Sequence, residues 1–341
     1  MERGSGQRRD IRGLLRSAAA RITVCVLLAT LLAASASRWW LGDLAVHFRL
    51  QYAALALIAL VVLVWARSWS WAAASLLTLI VNLAAAASIL GPMPDFVAAG
   101  HAAAPHPTNV RIVALNVFYH NSQYERALTF VRAARPDVVV LVEITPQWRS
   151  AFERLRAAYP FQYYAAAPRP LAFGSSEVRG ALLLSRWPIV HAEQLALGPT
   201  TDPAVTAVLA VQGRDVRIIG VHAAWPLGLS VSGERNEELV ALATRVRSET
   251  EPCIVAGDFN VTPFSPYFRR FLAASGLVWA AQGAGWQPTW PTFLPPAGIQ
   301  IDHVFVSPGI QVQRFARGPS VGSDHRPILA DLVIPGTRGR L

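Results

Sequence analysis

The sequence predicts an α/β domain that follows a bundle of about three membrane-spanning helices. Two observations support this prediction. Three apolar runs lie within residues 22–90, and after residue 108 valine-rich runs of strand length alternate with segments of helical spacing. At 341 residues, the chain is long enough for about two such units.

The N-terminal region is predicted to be a membrane anchor. Residues 1–21 form an arginine-rich tail expected in the cytoplasm, and the apolar runs cover about 22–37, 50–66 and 71–90. The third run is about long enough to cross a bilayer, the second is close to that length, and the first is short. A cleaved signal peptide is the alternative for the first run, because small residues end it. Asn82, inside the third run, is expected to bond a neighbouring helix.

A linker and then the α/β domain follow the apolar runs. Proline and glycine mark the linker at 91–108, the α/β domain is expected at 109–334, and a short tail at 335–341 ends the chain. An odd number of spans would place the α/β domain outside the cytoplasm. If the short first run does not span, the side is reversed.

The composition is apolar and basic. Hydrophobic residues make up 53% of the chain, and the net charge is +10, with arginine as the only basic residue besides histidine. This balance favours anionic partners such as a phosphate ester or a lipid surface. No basic run with interleaved aromatics follows the apolar runs, so a nucleic-acid-binding surface is not indicated. Cys25 and Cys253 have no zinc-ligand spacing and are not expected to pair.

Strand and helix patterns alternate through the α/β domain. Strands are predicted at 110–117, 137–142, 180–185, 204–211, 216–221, 254–258, 301–307 and 328–334. Helices are predicted at 124–135, 146–157, 233–248 and 266–274. The segments 159–179 and 283–298 are rich in proline, glycine and aromatic residues and are predicted to be loops.

Polar side chains recur at the ends of these strands. In the run 254–260, the apolar strand stops at Gly257 and presents Asp258 and Asn260, which share one side of an extended chain. Alone, this pattern also fits an ordinary turn after a strand. The same placement recurs at other strand ends: Asn116, Glu143, His222, Asp302, and Asp324 with His325. Because buried carboxylates are costly unless paired or metal-bound, we expect these side chains to meet at one rim of a sheet.

The order of these residues resembles the endonuclease/exonuclease/phosphatase superfamily, which includes DNase I-like nucleases, apurinic endonucleases, inositol polyphosphate 5-phosphatases and bacterial sphingomyelinases. The motifs are, in order, Leu115-Asn116, Val142-Glu143, Gly220-Val221-His222, Gly257-Asp258-Phe259-Asn260, Ile301-Asp302-His303 and Ser323-Asp324-His325. The resemblance covers residues 109–334 and leaves the apolar runs outside. It implies a four-layer α/β sandwich of two mixed β-sheets flanked by helices.

The resemblance also implies a metal site. Glu143 would hold Mg²⁺, or Mn²⁺ in its place, with Asn116 close to the same ion. Asp324 would lie near the metal or the phosphate. Carboxylate and amide oxygens are the ligands that Mg²⁺ accepts, and a hard cation would neutralise the charge of the phosphoester.

Catalytic roles are implied for the remaining motif residues. Asp258 would orient and deprotonate the attacking water, and Asn260 would fix the phosphate or the water. His222 and His325 would contact phosphate oxygens, with Asp302 holding the ring of His325. An aspartate at the other ring nitrogen would raise the pKa of the histidine and set its orientation.

Two features set limits to the resemblance. Phe118 stands two residues after Asn116, where apurinic endonucleases carry an acidic residue, which disfavours a DNA-repair role. The segments 159–179 and 286–293 would face the substrate, and aromatic residues there would stack on a base, meet a sugar, enter lipid or pack the loop. His303 is expected to point away from its neighbour Asp302, because strand residues alternate in direction.

Together these observations predict a membrane-anchored, Mg²⁺-dependent phosphoesterase in which water attacks phosphorus in line. Its substrate would be a lipid, nucleotide or nucleic-acid phosphoester, and the lipid bilayer is its other partner, with no protein partner predicted. The three apolar runs and the arginine-rich tail favour a multi-pass protein of the bacterial cytoplasmic membrane with the catalytic domain on the extracytoplasmic side. The alternatives are an extracytoplasmic nuclease and an inactive binding protein of the same fold.

Overall fold

A computed structural model describes residues 3–91, 107–166, 179–198 and 203–335 of the chain. The predicted linker at 91–108 and tail at 335–341 lie almost wholly outside the described residues, as does the segment 167–178 of the predicted loop 159–179. A helical unit ends at Gly91, and an α/β unit follows it.

In the described residues 3–91, the N-terminal unit forms four helices: α1 (Arg3–Ala33), α2 (Trp40–Val46), α3 (Arg49–Trp65) and α4 (Trp69–Leu90). Two of them contain a stretch long and apolar enough to cross a membrane, Ile11–Ala33 in α1 and Trp69–Ala87 in α4. Helix α3 meets that criterion only together with α2, to which it is joined across a bend of 65°. The described residues therefore hold two candidate spans, or three if the bent pair is one span.

The first apolar run differs from the prediction. Residues 3–21 are helical and continue into that run, so it is not short, whereas the second run forms a helix of 17 residues, the length predicted for it. One contact explains how arginines fit into this first helix. The guanidinium of Arg12 donates to the carbonyl of Trp65 at 2.7 Å, at the last residue of α3, and lies over the indole ring. A cation at a helix C-terminus satisfies a carbonyl that has no partner within the helix.

Asn82 links three of the N-terminal helices. Its side-chain nitrogen donates to the Thr30 hydroxyl of α1 at 2.9 Å, and its oxygen accepts from Arg49 of α3 at 3.2 Å. The prediction that Asn82 bonds a neighbouring helix is confirmed. Such contacts satisfy polar groups that lipid cannot solvate.

The described residues of the α/β unit form two mixed sheets of six strands each and four α-helices. One sheet is built from β1 (Thr108–Asn116), β2 (Val138–Val142), β3 (Phe161–Ala166), β4 (Gly180–Ser185), β11 (Gln311–Arg317) and β12 (Ile328–Ile334), in the order β11-β12-β1-β2-β4-β3. The other holds β5 (Ile189–Leu195), β6 (Ala204–Val211), β7 (Arg214–His222), β8 (Cys253–Asp258), β9 (Val278–Trp279) and β10 (Asp302–Val306), in the order β5-β6-β7-β8-β10-β9. The helices are α5 (Tyr124–Ala134), α6 (Pro146–Glu153), α7 (Leu229–Arg247) and α8 (Pro266–Ser275).

The sheets pack face to face with helices outside them. At the inner faces, a Cβ placed on Gly220 of β7 would stand 2.7 Å from Val140 Cγ1 of β2, so only glycine allows this approach. On the outer face of the first sheet, Leu115 is buried in one core with Leu128 and Trp148 of α5 and α6. Aromatic rings of β10 and α8 pack on the outer face of the second sheet. The four-layer α/β sandwich is thus confirmed.

Four strands were not predicted, and each lies at the edge of a sheet. Strand β3 falls within the predicted loop 159–179, and no strand was predicted at β5, β9 or β11. Edge strands face water and carry polar residues, so their apolar signal is weak. The predicted central strands and the helices are present with shifted ends, and helix α7 begins at Leu229 rather than at 233.

Candidate active site

Strand directions bring the predicted polar residues to one edge of the sandwich. Strands β7 and β8 are parallel, and their last residues, His222 and Asp258, are direct neighbours. Strand β10 runs antiparallel to β8, so its first residue, Asp302, also faces Asp258. Parallel strands β1 and β2 likewise end side by side, at Asn116 and immediately before Glu143.

Asp258 is the centre of this cluster and is 1% exposed. Its Oδ2 accepts from Asn116 Nδ2 at 3.1 Å and lies 3.6 Å from His325 Nε2 and 3.7 Å from His222 Nε2. The other oxygen, Oδ1, accepts the backbone N–H of Asn260 at 2.9 Å. The carboxylate is therefore fixed in orientation and lies between two imidazole rings.

Gly257 sets the direction in which Asp258 leaves the strand. Its φ of +143° lies in the region that favours glycine, and a Cβ there would stand 2.0 Å from the carbonyl oxygen of Val221. The glycine that the sequence places before Asp258 is thus required by close contact with β7.

His325 and Asp302 form a buried ion pair beside Asp258. The ring nitrogen Nδ1 of His325 lies 2.9 Å from Asp302 Oδ2, as the resemblance implied. Burial lowers the pKa of His325, but Asp302 and Asp258 outweigh it and raise that pKa to about 10. Burial raises the pKa of Asp258 to about 6, an effect that His325 opposes and Asp302 increases. At neutral pH the ring is therefore an imidazolium beside a carboxylate that titrates close to neutrality.

Ser323 holds the loop that carries His325. Its hydroxyl donates to the carbonyl of Asn116 at 2.7 Å and accepts the backbone N–H of His325 at 3.0 Å. The Ser-Asp-His motif thereby ties this loop to the end of β1.

Glu143 and Asn116 share a hydrogen bond at the same edge. Glu143 has a φ of +60°, a left-handed conformation that costs free energy in a residue other than glycine. Its Oε1 accepts from Asn116 Nδ2 at 3.0 Å and its Oε2 from the backbone N–H of Tyr119 at 3.0 Å. Asn116 Oδ1 accepts the N–H of Phe118. The amide of Asn116 therefore bridges the carboxylates of Glu143 and Asp258, and its use as a metal ligand stays a prediction.

Asp324 and Asn260 reach the same edge through other contacts. Asp324 Oδ2 accepts from Trp290 Nε1 at 3.1 Å, and burial raises the pKa of this carboxyl. Asn260 Nδ2 donates to the carbonyl of Ala223 at 2.8 Å, which fixes the first residue after β7. The expectation that Asp258 and Asn260 project from one extended strand is wrong in detail, because β8 ends at Asp258 and Asn260 has a φ of +48°.

His303 points away from the cluster, as predicted. Its Nδ1 accepts from Trp279 Nε1 at 3.1 Å, so its Nε2 carries the proton and donates to the carbonyl of Val261 at 2.8 Å. Burial lowers the pKa of His303 to about 4. It is a neutral core residue.

Three residues near the site were not predicted. The guanidinium of Arg179 lies 4.0 Å from Glu143 Oε2 and 4.5 Å from the centre of the Tyr119 ring. Thr289 Oγ1 accepts the N–H of Asp302 at 3.3 Å. One arginine in an arginine-rich sequence gives no signal, and Thr289 lies in a loop without a motif.

The donor set fits a hard divalent cation. Ligand atoms of Asp258, Asp302 and His325 lie within 4.8 Å of one another, and all three residues are buried. Asp302 raises the pKa of Asp258, so the carboxylates repel each other and a cation between them would relieve that repulsion. Oxygen-rich donor sets favour Mg²⁺ or Mn²⁺. This group contains residues that were predicted to be catalytic, and none of the predicted metal ligands Glu143, Asn116 and Asp324.

The comparisons with known proteins agree with this fold. Two UPF0294 proteins of Vibrio cholerae serotype O1 are 31% identical over 119 residues, which is 34% of this chain and 40% of each relative, so the match spans less than half of their length. A solved endonuclease/exonuclease/phosphatase of Beutenbergia cavernae shares 22% identity over 67% of this chain and 72% of its own, with a TM-score of 0.59. A solved endonuclease/exonuclease/phosphatase of Bacteroides vulgatus shares 22% identity over 66% of this chain and 98% of its own, with a TM-score of 0.54. The structure of D. rerio TDP2 complexed with a single-strand DNA product shares 17% identity over 66% of this chain and 99% of its own, with a TM-score of 0.51.

A family model decides the assignment. The model of the Endonuclease/Exonuclease/phosphatase family matches residues 113–325, which is more than half of the chain. This range contains every residue of the cluster around Asp258. The chain therefore belongs to the endonuclease/exonuclease/phosphatase family, whose members are hydrolases that act on phosphoester bonds.

Proposed function

We propose that this protein is a membrane-anchored, metal-dependent phosphoesterase that cleaves a phosphodiester or phosphomonoester by in-line attack of water. The observation that carries the proposal is the buried carboxylate of Asp258, which lies within 4 Å of both His222 and His325. A carboxylate of raised pKa beside an imidazolium is an arrangement suited to general acid–base catalysis.

Asp258 is the proposed base. Its pKa of about 6 allows it to accept a proton from water at neutral pH and to release that proton afterwards. The hydrogen bonds from Asn116 and Asn260 hold the carboxylate in place, so the water is oriented as well as activated.

His325 is the proposed cationic donor to the phosphate. Asp302 holds the ring by Nδ1 and keeps it protonated, which directs Nε2 toward the space beside Asp258. From there the Nε2–H donates to a phosphate oxygen, where negative charge grows as water attacks. His222 contributes a second imidazole to the same space.

The acidic residues are the proposed metal ligands. Glu143 and Asp324 would hold the ion with Asn116 beside it, while the grouped Asp258, Asp302 and His325 keep their roles as base, positioning residue and cationic donor. A bound Mg²⁺ or Mn²⁺ supplies positive charge that neutralises the phosphate and polarises its P–O bonds. The amide of Asn116 donates to the carboxylates of both Glu143 and Asp258 and so fixes their orientations.

The membrane anchor is proposed for residues 22–90 and the catalytic domain for 109–334. The candidate spans in α1 and α4 support an anchor. The side on which the catalytic domain lies now depends on the bent pair α2–α3. We propose that this pair spans, so the site faces away from the cytoplasm. A reporter fused after Leu341 tests this, and activity of a cytoplasmic reporter would contradict it.

The experiment that tests the function uses the full chain, purified in detergent. Phospholipids, phosphoinositides, nucleotides, phosphomonoesters and DNA are offered with Mg²⁺ or Mn²⁺, with and without a chelator. His325→Ala is expected to lower turnover by about a hundredfold or more. His191→Ala, an exposed histidine of β5, serves as the matched control.

The outcomes separate the candidate functions. Metal-stimulated cleavage of one class supports the proposal and names the substrate, and cleavage of DNA alone would make the protein a nuclease. Absence of cleavage of every class with either metal would contradict the proposal and favour an inactive binding protein of the same fold.

A further inference from the structure

Large apolar side chains are exposed on two segments beside the candidate site. The described residues of the α/β unit contain seven exposed large hydrophobic residues, and five of them lie on these segments. We call these five the apolar rim: Trp225 (57% exposed), Leu227 (45%), Leu229 (71%), Phe293 (75%) and Leu294 (51%). Single exposed hydrophobic residues are ordinary, but this concentration on two segments that each start from residues of the candidate site needs an explanation.

The first segment of the apolar rim is fixed to residues of the site. It follows His222, the last residue of β7. The backbone N–H of Ala223 donates to the carbonyl of Asp258 at 2.9 Å, and its carbonyl accepts from Asn260 Nδ2 at 2.8 Å. The N–H of Ala224 donates to the Glu238 carboxylate at 2.8 Å. The backbone just before Trp225 is therefore fixed by hydrogen bonds, so the ordered structure holds the Trp225 side chain in an exposed position.

The second segment is fixed in the same way. Thr292 donates its backbone N–H to the carbonyl of Asp324 and its hydroxyl to the carbonyl of Ser323, both at 2.8 Å. Phe293 and Leu294 come next in the chain. Both segments of the apolar rim thus start from residues that contact the cluster around Asp258, and both hold apolar side chains in water.

Two arginines contact the backbone just before the second segment. Arg317 donates to the carbonyl of Pro288 at 2.8 Å, and the backbone N–H of Arg326 donates to the carbonyl of Thr289 at 2.9 Å. Burial lowers the pKa of Arg317, and the positive charge of Arg326 lowers it further. Apolar and aromatic tips with arginines behind them match the interface of an anionic bilayer.

We propose that the apolar rim inserts into an anionic lipid surface and holds the candidate site against it, so that the ester cleaved is part of a lipid. This proposal rests on the proposed phosphoesterase function. A lipid occupant is favoured over a protein or a nucleic acid because the same chain carries candidate membrane spans. The positive charge beside the rim is complementary to acidic headgroups.

Fluorescence labelling of the full chain tests the contact. A thiol-reactive, polarity-sensitive dye is attached to Phe293→Cys or Leu229→Cys in a Cys25→Ser background, and the protein is placed in nanodiscs of phosphatidylcholine with or without phosphatidylglycerol. The remaining Cys253 does not react, because burial raises its pKa to about 12. Dyes at both rim positions should shift to shorter wavelengths and be quenched by acyl-chain-brominated lipid, more strongly when phosphatidylglycerol is present.

Val190→Cys is the matched control. Val190 is 60% exposed, so it resembles the rim residues in size and exposure. It adjoins Ile189, which pairs with Leu209, and Leu209 pairs with Val216. His222 lies six positions after Val216 along β7, so Val190 lies about 20 Å along the sheet from the candidate site. Its dye should stay in water in every nanodisc.

The outcomes distinguish this proposal from the proposed function. Equal water exposure at positions 190, 229 and 293 would overturn the lipid contact, as would shielding of the rim dyes by a single-stranded oligonucleotide and not by lipid. This readout needs no turnover, so an inactive protein with a lipid-inserted rim would overturn only the phosphoesterase. In an active protein, Phe293→Ser should lower turnover of vesicle phospholipid relative to a water-soluble ester by about tenfold. An unchanged ratio would overturn the assignment of a lipid substrate.

Discussion

Replacing Asp302 by asparagine is expected to lower the pKa of His325 and so remove much of its positive charge at neutral pH. Asp302 Oδ2 lies 2.9 Å from His325 Nδ1, and both residues are buried. Two unit charges about 4 Å apart attract by about 4 kcal/mol at the effective dielectric of a protein, or about three pKa units. Loss of the carboxylate should therefore lower the pKa of His325 from about 10 by about three units, with Asp258 and Asp324 left to oppose burial.

Catalysis and stability should both register this change. Turnover should fall by about a hundredfold with a much smaller change in KM, because the charge of His325 acts on the transition state. The folded state of the wild type binds the His325 proton more tightly than the unfolded chain does. The resulting stabilisation is present below the ordinary pKa of 6.5 and is lost as pH rises through about 10. In Asp302→Asn, most of that contribution should be absent.

NMR titration of the histidine rings measures the shift directly. Asp331→Asn is the control, because Asp331 pairs with Arg111 on β1 and should leave the titration of His325 unchanged. If His325 titrates at the same pH in Asp302→Asn as in the wild type, the account of this ion pair is refuted.

Three further predictions concern other parts of the α/β unit. Gly257→Ala should destabilise the chain by about 3 kcal/mol or more in thermal unfolding, because its Cβ would meet Val221 O at 2.0 Å. Gly213→Ala, whose Cβ would meet no atom within 4 Å, should cost about 1 kcal/mol. Equal costs for the two variants would contradict this. The ring of His303 is buried and neutral, and its pKa is lowered to about 4. Because the unfolded chain binds the proton first, the free energy of unfolding should fall by about 3 kcal/mol as pH falls from 6.5 through 4. Urea unfolding of His303→Asn should lack this acid dependence, and retention of it would exclude His303 as the cause. Glu143→Gln should weaken Mn²⁺ binding, measured by electron paramagnetic resonance, by at least about tenfold, with exposed Glu153→Gln as the control; unchanged affinity would remove Glu143 from the metal site.

The central strands could be predicted from the sequence because burial on both faces leaves an unbroken apolar run. Every residue of β2 and of β8 is buried, and both runs are rich in valine, isoleucine or leucine. The edge strands could not be predicted in this way. Strand β11 shows no clear alternation of apolar and polar residues, and β9 has only two residues. Each becomes a strand only by pairing with a partner distant in sequence.

The residues of the candidate site could be predicted because strand ends are readable from the sequence. Asn116, His222 and Asp258 each end a strand that the sequence defines. Their partners could not be predicted, since the choice depends on sheet register. The Asn116 amide contacts a carboxylate 142 residues away in the chain. Likewise, the hydrogen bond from Arg12 to the end of α3 joins residues 53 apart. The sequence does not show this contact, so the arginine-rich tail was not recognised as part of the first helix.

The claim that the cluster around Asp258 hydrolyses phosphoesters is tested most directly by one comparison of rates. Turnover of the substrate identified in the screen is measured with saturating Mg²⁺ for the wild type, Asp258→Asn and Asp215→Asn, of which Asp215 is an exposed residue near the start of β7. The account predicts that Asp258→Asn is slower by about a hundredfold or more with unaltered folding, while Asp215→Asn keeps the wild-type rate. A wild-type rate in Asp258→Asn would contradict it.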